Sequence, residues 1–254
     1  MDRLLEATAR AERDHFWFRG FRRFVEPLVA AAALRHGSGQ AGGRRPDILD
    51  CGCGTGHNLT LLKKYGAAYG IDLTWAGLQY ARSRGERRIA RATASRLPFA
   101  AARFGLVTSF DVLYSLPDEV ERDAIAEMFR VLVPGGTLIV NVAALELLRG
   151  NHSVLSAEIR RYSKADLTRR LEAAGFRVTR ATYTNMSILP MLLAVRLKQR
   201  LGGDHVESQD EIAIPPAPIN AALSALLAAE AAALRVTNMP AGSSLLAVAR
   251  KPPL

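Results

Sequence analysis

Asp50-Cys51-Gly52-Cys53-Gly54-Thr55-Gly56 follows directly on the apolar pair Ile48-Leu49 and precedes Asn58-Leu59-Thr60-Leu61-Leu62, a stretch with the pattern of a helix. The apolar residues in front of the glycines predict a buried strand. Glycines at alternate positions let the backbone pass close to a ligand, because glycine has no Cβ. A strand, a glycine loop and a helix in this order predict an α/β fold with a ligand-binding loop after its first strand.

A second acidic residue, Asp72, ends the next apolar stretch about 20 residues further along the chain. A carboxylate in this position can accept hydrogen bonds from both hydroxyls of a ribose. The loop and this acid together indicate a cofactor that contains adenosine. The G-x-G-x-G spacing differs from the G-x-G-x-x-G of dinucleotide sites, because the sixth position from Gly52 is His57. An NAD-dependent reductase therefore stays only as an alternative.

Short apolar stretches alternate with helical stretches from Asp47 to about Ala181, which is typical of a parallel sheet with crossover helices. Pro134-Gly135-Gly136 predicts a turn just before the fifth strand. The candidate strands are 48–51, 67–71, 88–92, 106–110, 137–142, 178–183 and 244–249.

The chain divides at a glycine-rich break over residues 37–43 and again after the sixth candidate strand. We expect an N-terminal helical lid over 1–43, a core over 44–184, a helical cap insertion over 185–240, and a final strand over 241–254 that completes the core. The apolar run 187–200 is too short to span a bilayer. In the second helix of the insertion a packing face is predicted, formed by Ile219, Leu223, Leu226, Leu227 and Leu234. A cap over the active site is favoured, and peripheral membrane contact is the alternative.

The formal charge of +10 invites a nucleic-acid interpretation, yet only five of the 34 basic residues are lysines. Because the chain is also rich in alanine and leucine, this bias indicates codon usage as much as a selected surface, and no nucleic-acid partner is expected. Cys51 and Cys53 are the only cysteines and cannot form a four-ligand metal site, so no metal is predicted. The charged amino terminus lacks an apolar signal core, which predicts a cytoplasmic protein.

Residues 48–56 resemble the first motif of the class I methyltransferases, which use S-adenosylmethionine (SAM), and Gly70-Ile71-Asp72 resembles their second-strand acid. Three more matches follow in order at 97–99, 106–111 and 130–138. The stretches 15–19, 160–163 and 240–249 are similar to a bacterial subgroup of type 11 methyltransferases.

The resemblance implies a seven-stranded, mostly parallel Rossmann-like α/β sheet with helices on both faces. Added to it are the N-terminal helical lid and the helical insertion between the last two strands. SAM is the implied cofactor and S-adenosylhomocysteine the product. The implied enzyme transfers a methyl group to a small-molecule acceptor such as a secondary metabolite, a sugar or a lipid-linked intermediate. The oligomeric state stays open.

The resemblance also implies which residues bind the cofactor. The glycine loop faces its methionine part, Asp72 its ribose, and the Thr93-Ala94 corner with Phe110 its adenine. Many relatives have an aspartate where this chain has Thr93, so the hydroxyl or the backbone must take over the adenine amino group. From the lid, Trp17 is predicted to meet the sulfonium and Arg19 the carboxylate, and a helix that only docks its aromatic face is the alternative. The complete predicted set is Asp50, Gly52, Gly54, Gly56, Asp72, Leu73, Thr93, Ala94, Phe110, Trp17 and Arg19.

Transfer of the methyl group from SAM requires mainly that the acceptor lone pair is held in line with the S–methyl bond. An alcohol or amine acceptor also needs a base. His152 and His57 are the predicted catalytic residues, while Asp111 and Tyr114 are further candidates. The pair Arg160-Arg161 could hold an anionic acceptor. A non-catalytic subunit with the same fold remains an alternative, and nucleic-acid methylation is disfavoured because residues 112–115 lack an N/D-P-P-Y loop.

Overall fold

The computed structural model describes residues 2–38, 45–149, 157–202 and 212–253. Helices and strands alternate through most of this range. The helices are α1 (Asp2–Ala11), α2 (Phe16–Ser38), α3 (His57–Leu62), α4 (Trp75–Ser83), α5 (Asp118–Val131), α6 (Lys164–Ala173), α7 (Leu189–Gly202) and α8 (Ala217–Ala233). The strands are β1 (Asp47–Cys51), β2 (Ala67–Asp72), β3 (Ile89–Arg91), β4 (Phe104–Phe110), β5 (Leu132–Ala143), β6 (Arg177–Thr184) and β7 (Ser244–Arg250).

The seven strands form one sheet in the order β3-β2-β1-β4-β5-β7-β6. Strands β1 to β5 pair in parallel, and β7 lies antiparallel between β5 and β6. Each predicted strand is confirmed, with the largest differences at the starts of β4 and β5. The chain order reverses beside β1, so the carboxyl ends of β1 and β4 form the crevice where open α/β sheets bind ligands.

The predicted turn Pro134-Gly135-Gly136 lies inside β5 instead of before it. Leu132 pairs with Phe104 and Thr137 pairs with Leu106, so the stretch between them bulges opposite a single residue of β4. Gly135 has φ 75°, a conformation that glycine adopts without strain. The prediction that β5 begins after the turn was wrong, because β5 pairs with β4 both before and after the bulge.

Helix α2 packs directly on the sheet. Its buried Val25 and Val29 share one apolar cluster with Ile48, Leu106 and Ile139 from the central strands. The opposite face of the sheet is covered by α5 and α6, whose apolar residues belong to a second cluster. The segment predicted as a lid, residues 1–43, therefore contains a helix, α2, that is also part of the core.

The insertion helix α8 packs against α2 on the same face. A Cβ added at Gly20 would lie 2.4 Å from Cδ1 of Leu227, so the two helices approach closely at this glycine. Leu227 and Leu234 are buried as predicted, but Ile219 and Leu226 are exposed. The predicted packing face was too wide because α8 contacts α2 and the sheet along a narrower stripe. Among the described helices, none is long and apolar enough to cross a bilayer.

Candidate functional site

The glycine loop leaves β1 at Cys51 and turns sharply towards α3. Gly52, Gly54 and Gly56 all have positive φ, at 86°, 48° and 77°. The amides of Gly52 and Cys53 both donate to the carbonyl of Ile71 at the end of β2, at 2.8 and 2.9 Å. A Cβ on Gly52 would lie 2.2 Å from the Cγ2 atom of Val112. The loop therefore needs glycine for its backbone conformation and for its close approach to β4.

Asp72 ties the glycine loop to the end of β2. Its Oδ2 atom accepts a hydrogen bond from the amide of Gly54 at 2.7 Å, and its Oδ1 atom accepts one from the amide of Thr74 at 2.8 Å. The side chain is half-buried. The two acidic positions singled out from the sequence, Asp50 and Asp72, thus lie at the same edge of the sheet, as neighbouring parallel strands require.

Asp50 is fully buried and only half satisfied. Its Oδ1 atom accepts a hydrogen bond from the hydroxyl of Thr108 at 2.7 Å, while Oδ2 has no hydrogen-bond partner among the described residues. Desolvation and, to a smaller extent, the neighbouring Asp72 charge raise the pKa of Asp50 to about 7, against the lowering effect of the hydrogen bond from Thr108. A buried carboxylate oxygen without a donor is costly. A cationic group of a bound ligand would supply the missing partner, so the site fits the ammonium of SAM.

The predicted adenine end lies beyond β2 and β3. Leu73 is 55% exposed although it follows directly on Asp72. The Thr93 hydroxyl lies 2.9 Å from the Ser95 hydroxyl, and Ala94 is buried. An open apolar side chain beside the predicted ribose-binding acid, Asp72, offers a surface on which a flat base can stack.

Phe110 is buried at the end of β4. Its ring meets Phe21 of α2 edge to face, with 5.0 Å between the ring centroids. This contact uses Phe110 to join α2 to the sheet, and the predicted adenine contact stays a prediction.

The N-terminal segment reaches the glycine loop through Glu12. The hydroxyl of Thr55 in the loop donates to the buried Glu12 carboxylate at 2.7 Å, and Arg84 pairs with the same carboxylate. From α1, Leu5 approaches the Cβ position of Gly54. The predicted lid therefore contacts the loop, but through residues that no sequence signal singled out.

Trp17 and Arg19, the two lid residues predicted to bind the cofactor, are more exposed than Glu12, which is buried against the glycine loop. Trp17 is half-buried and packs beside the apolar cluster of α2, whereas Arg19 is exposed. Their predicted contacts with the sulfonium and the carboxylate of the cofactor stay predictions.

His57 begins α3 directly after the loop, and its Nδ1 atom lies 3.3 Å from Nη1 of Arg84. Desolvation and, to a smaller extent, the charges of Arg22 and Arg84 lower the pKa of His57 to about 4. The ring is neutral at pH 7 and accepts a proton poorly, which argues against a general base. His152, the other predicted catalytic residue, lies outside the described residues.

Asp111 stands directly after β4, next to the crevice. Its backbone has φ 60°, and its Oδ1 atom accepts a hydrogen bond from Nδ2 of Asn141 at 2.9 Å. The residue as a whole is exposed, but its carboxyl group is enclosed, and this burial, together with the charge of Glu158, raises the pKa of Asp111 to about 7. A carboxylate with a pKa near 7 beside the crevice is suited to proton transfer at neutral pH.

Arg160 and Arg161 are both engaged with carboxylates of the protein. Arg160 binds Glu121 at 2.7 Å, and Arg161 binds Glu158 at 2.5 Å. Glu121 also accepts from the Tyr162 hydroxyl at 2.8 Å. Arg160 and Arg161 therefore have a structural role in buried ion pairs, because an anionic acceptor would have to displace a carboxylate of the protein.

The sheet order, the glycine loop after β1 and the acid after β2 define a class of protein: the class I SAM-dependent methyltransferase fold. Comparison with known families agrees. Residues 49–140 match the family model described as a methyltransferase domain. Residues 49–140 are thus similar to a methyltransferase domain, and SAM is the cofactor of this kind of domain.

Two curated relatives each match about half of the chain. An uncharacterized protein of Haemophilus influenzae is 30% identical over 130 residues, which cover 48% of this chain and 51% of that protein. The protein of Bos taurus named "Probable tRNA methyltransferase 9B" is 33% identical over 129 residues, covering 50% of this chain and 28% of that protein. The match thus spans about half the length of the first relative and less of the second.

Among solved structures, the crystal structure of the (4+2)-cyclase SpnF is similar over 91% of this chain and 81% of its own, with a TM-score of 0.55 and 22% identity. At this identity the similarity establishes the fold alone. A protein of this fold is thus named for a reaction other than methyl transfer, so the reaction must be argued from the site.

Proposed function

We propose that this protein binds SAM at the glycine loop and transfers its methyl group to an acceptor that enters beside Asp111. The observation that carries the proposal is the buried, unpartnered Oδ2 atom of Asp50, next to the ribose-binding position of Asp72. An orphaned carboxylate oxygen beside a glycine loop matches a ligand that carries an ammonium group.

The protein's own residues would divide the work of binding. Asp50 accepts from the ammonium of the cofactor, Asp72 accepts from the ribose hydroxyls, and Leu73 stacks on the adenine. The hydroxyl of Thr93 or its backbone binds the adenine amino group. When bound, SAM supplies an electrophilic methyl group with its own leaving group, so the protein needs to position the acceptor and remove a proton. Asp111 is suited to take that proton, since it lies beside the crevice and burial of its carboxyl raises its pKa to about 7.

The acceptor in this proposal is a small molecule, because Glu12 binds Thr55 and Leu5 lies next to Gly54, so the N-terminal segment takes up space beside the glycine loop. RNA is a second candidate, favoured by the similarity to "Probable tRNA methyltransferase 9B". His152 stays a predicted acceptor-side residue.

Calorimetry with S-adenosylhomocysteine and with NADH tests the cofactor. We expect binding of the first and none of the second; the reverse result would favour the reductase. Retained S-adenosylhomocysteine, detected by mass spectrometry of the purified protein, would support the same conclusion. Asp72→Ala should weaken binding about a hundredfold while the protein stays folded by circular dichroism. Transfer of label from methyl-labelled SAM to any acceptor would eliminate the non-catalytic subunit.

A further inference from the structure

Positive charge is concentrated in one stretch of the chain. Between Asp72 and Asp111 the sequence has seven arginines and a single acidic residue, Glu86. Glu86 is buried and bound to Lys63 at 2.5 Å, so it does not neutralise any of these arginines. Most of the excess charge of the protein therefore comes from this stretch.

The fold gathers these arginines around the free edge of the sheet. Strand β3 is the edge strand, and α4 packs against it. Five exposed residues form what we call the arginine strip: Arg82 near the end of α4, Arg87 and Arg88 before β3, Arg91 at its end, and Arg96 after it. The other two arginines of the stretch are outside the strip, because Arg84 pairs with Glu12 and Arg103 with Asp47.

The positive charges of the strip are not neutralised by ion pairs, because the contacts of Arg91 and Arg88 are with neutral groups. Arg91 donates from Nε to the carbonyl of Leu73 at 2.9 Å, and the Arg88 guanidinium lies 5.4 Å from the centre of the Tyr69 ring. Among the described residues, no carboxylate lies within ion-pair distance of any strip arginine. Guanidinium groups left with their charge bind phosphate oxygens through two parallel hydrogen bonds.

The strip also adjoins the cofactor site. Arg91 is paired in register with Asp72, and its side chain is bonded to the residue that follows that acid. Along β3 the distance from Arg87 to Arg91 is about 13 Å at ~3.3 Å per residue, which is long enough to contact more than one phosphate. A phosphate chain on the strip would thus pass next to the predicted adenine end of the site.

We propose that the arginine strip binds the phosphate backbone of an RNA and so recruits to this domain the second acceptor candidate named above, an RNA in place of a small molecule. The inference rests on the proposed function for the reaction, though not for the binding itself. It revises the expectation that no nucleic acid is a partner, because the fold gathers five exposed arginines at one edge of the sheet. The exposed residues within the strand, such as Ala90, offer no large apolar side chain for insertion into a bilayer.

Fluorescence anisotropy of the full chain with a fluorescein-labelled tRNA transcript tests this at 50 to 200 mM salt. The strip variant is Arg87→Glu/Arg88→Glu/Arg91→Glu. The matched control changes the same charge at three exposed arginines elsewhere, as Arg122→Glu/Arg169→Glu/Arg177→Glu. We expect the strip variant to bind at least about tenfold more weakly and to lose about 2 from the slope of log affinity against log salt. The control should stay within about threefold of the unchanged protein.

Equal losses in both variants, or absence of tRNA binding by the unchanged protein at 100 mM salt, would overturn the inference. Equal affinity for a DNA duplex of the same length would overturn the assignment to RNA. Binding to phosphatidylserine vesicles but not to tRNA would assign the strip to membranes instead. S-adenosylhomocysteine affinity, measured on each variant, shows that the fold and the cofactor site persist. If the unchanged protein does not bind S-adenosylhomocysteine, that result counts against the proposed function and not against RNA binding by the strip. If the triple glutamate variant does not fold, the glutamine triple replaces it.

Discussion

Cofactor binding should depend on pH through one buried carboxylate, Asp50. The ionised form of Asp50 can accept the ammonium of S-adenosylhomocysteine, whereas the protonated form cannot provide that charge. Because burial raises the pKa of Asp50 to about 7 in the free protein, half of the molecules carry the wrong protonation state at neutral pH. Lowering the pH further should therefore weaken binding.

The size of the effect follows from the titration of this one group. With a pKa of about 7, roughly half of the Asp50 carboxyls are ionised at pH 7 and roughly 3% at pH 5.5. We expect the Kd for S-adenosylhomocysteine to rise about fifteenfold between these two pH values. Near pH 5.5 each binding event should release about one proton.

Isothermal titration calorimetry in two buffers of different ionisation enthalpy measures both quantities. Asp50→Asn is the decisive variant: it should bind weakly and lose the pH dependence. Asp111→Asn is the matched control, because burial raises the pKa of Asp111 to about 7 as well. This control should keep the full pH dependence. A Kd that is unchanged between pH 7 and 5.5, or an unaltered dependence in Asp50→Asn, would refute the reasoning.

The same group should make the free protein less stable as the pH rises. In the folded state the pKa of Asp50 is about 7, above its ordinary value of 3.8, so folding takes up a proton between these values. The stabilisation is complete below pH 4 and is lost as the pH approaches 7, at up to about 1.4 kcal/mol per pH unit. At pH 8 the Asp50→Asn protein should therefore be more stable, by as much as about 4 kcal/mol in the free energy of unfolding. Denaturant unfolding without cofactor measures this difference.

Three further substitutions test the loop and its cover. Gly52→Ala should destabilise the fold by about 3 kcal/mol in urea unfolding, since it adds a strained φ and a clash with Val112. Asp72→Ala should weaken S-adenosylhomocysteine binding about a hundredfold in calorimetry, because charge-assisted hydrogen bonds to the ribose are lost. Glu12→Gln should raise the dissociation rate constant of S-adenosylhomocysteine about tenfold in stopped-flow measurements, because the charge that holds the lid near Thr55 is removed.

Matched changes outside the site provide the controls. Gly37→Ala in α2 meets no atom within 4 Å, so its unfolding free energy should stay close to that of the unchanged protein. Glu6→Gln in α1 removes only an exposed pair with Arg10 and should leave the dissociation rate unaltered. If Gly37→Ala destabilises as much as Gly52→Ala, or if Glu6→Gln speeds release as much as Glu12→Gln, the roles argued for the loop and for Glu12 are wrong.

Local patterns were enough to locate most of the fold. Apolar stretches between turn residues indicated all seven strands, because burial within a sheet selects such residues at each strand separately. The proximity of Asp50 and Asp72 was predictable as well, since parallel neighbouring strands end at the same edge. The limits of this reasoning show at the bulge in β5, where pairing with β4 continues across Pro134 and the strand begins earlier than the pattern indicates.

Contacts between distant parts of the chain were decided by the tertiary structure alone. Glu12 reaches Thr55 across 43 positions, and nothing in its neighbouring residues indicates that partner. The unpartnered oxygen of Asp50 depends on how completely the surrounding elements exclude water, which composition does not reveal. The arginines around β3 became a candidate surface only when the sheet order put that strand at the edge. Motifs report which residues a strand or loop needs locally, whereas desolvation and charge pairing depend on the packing of all elements at once.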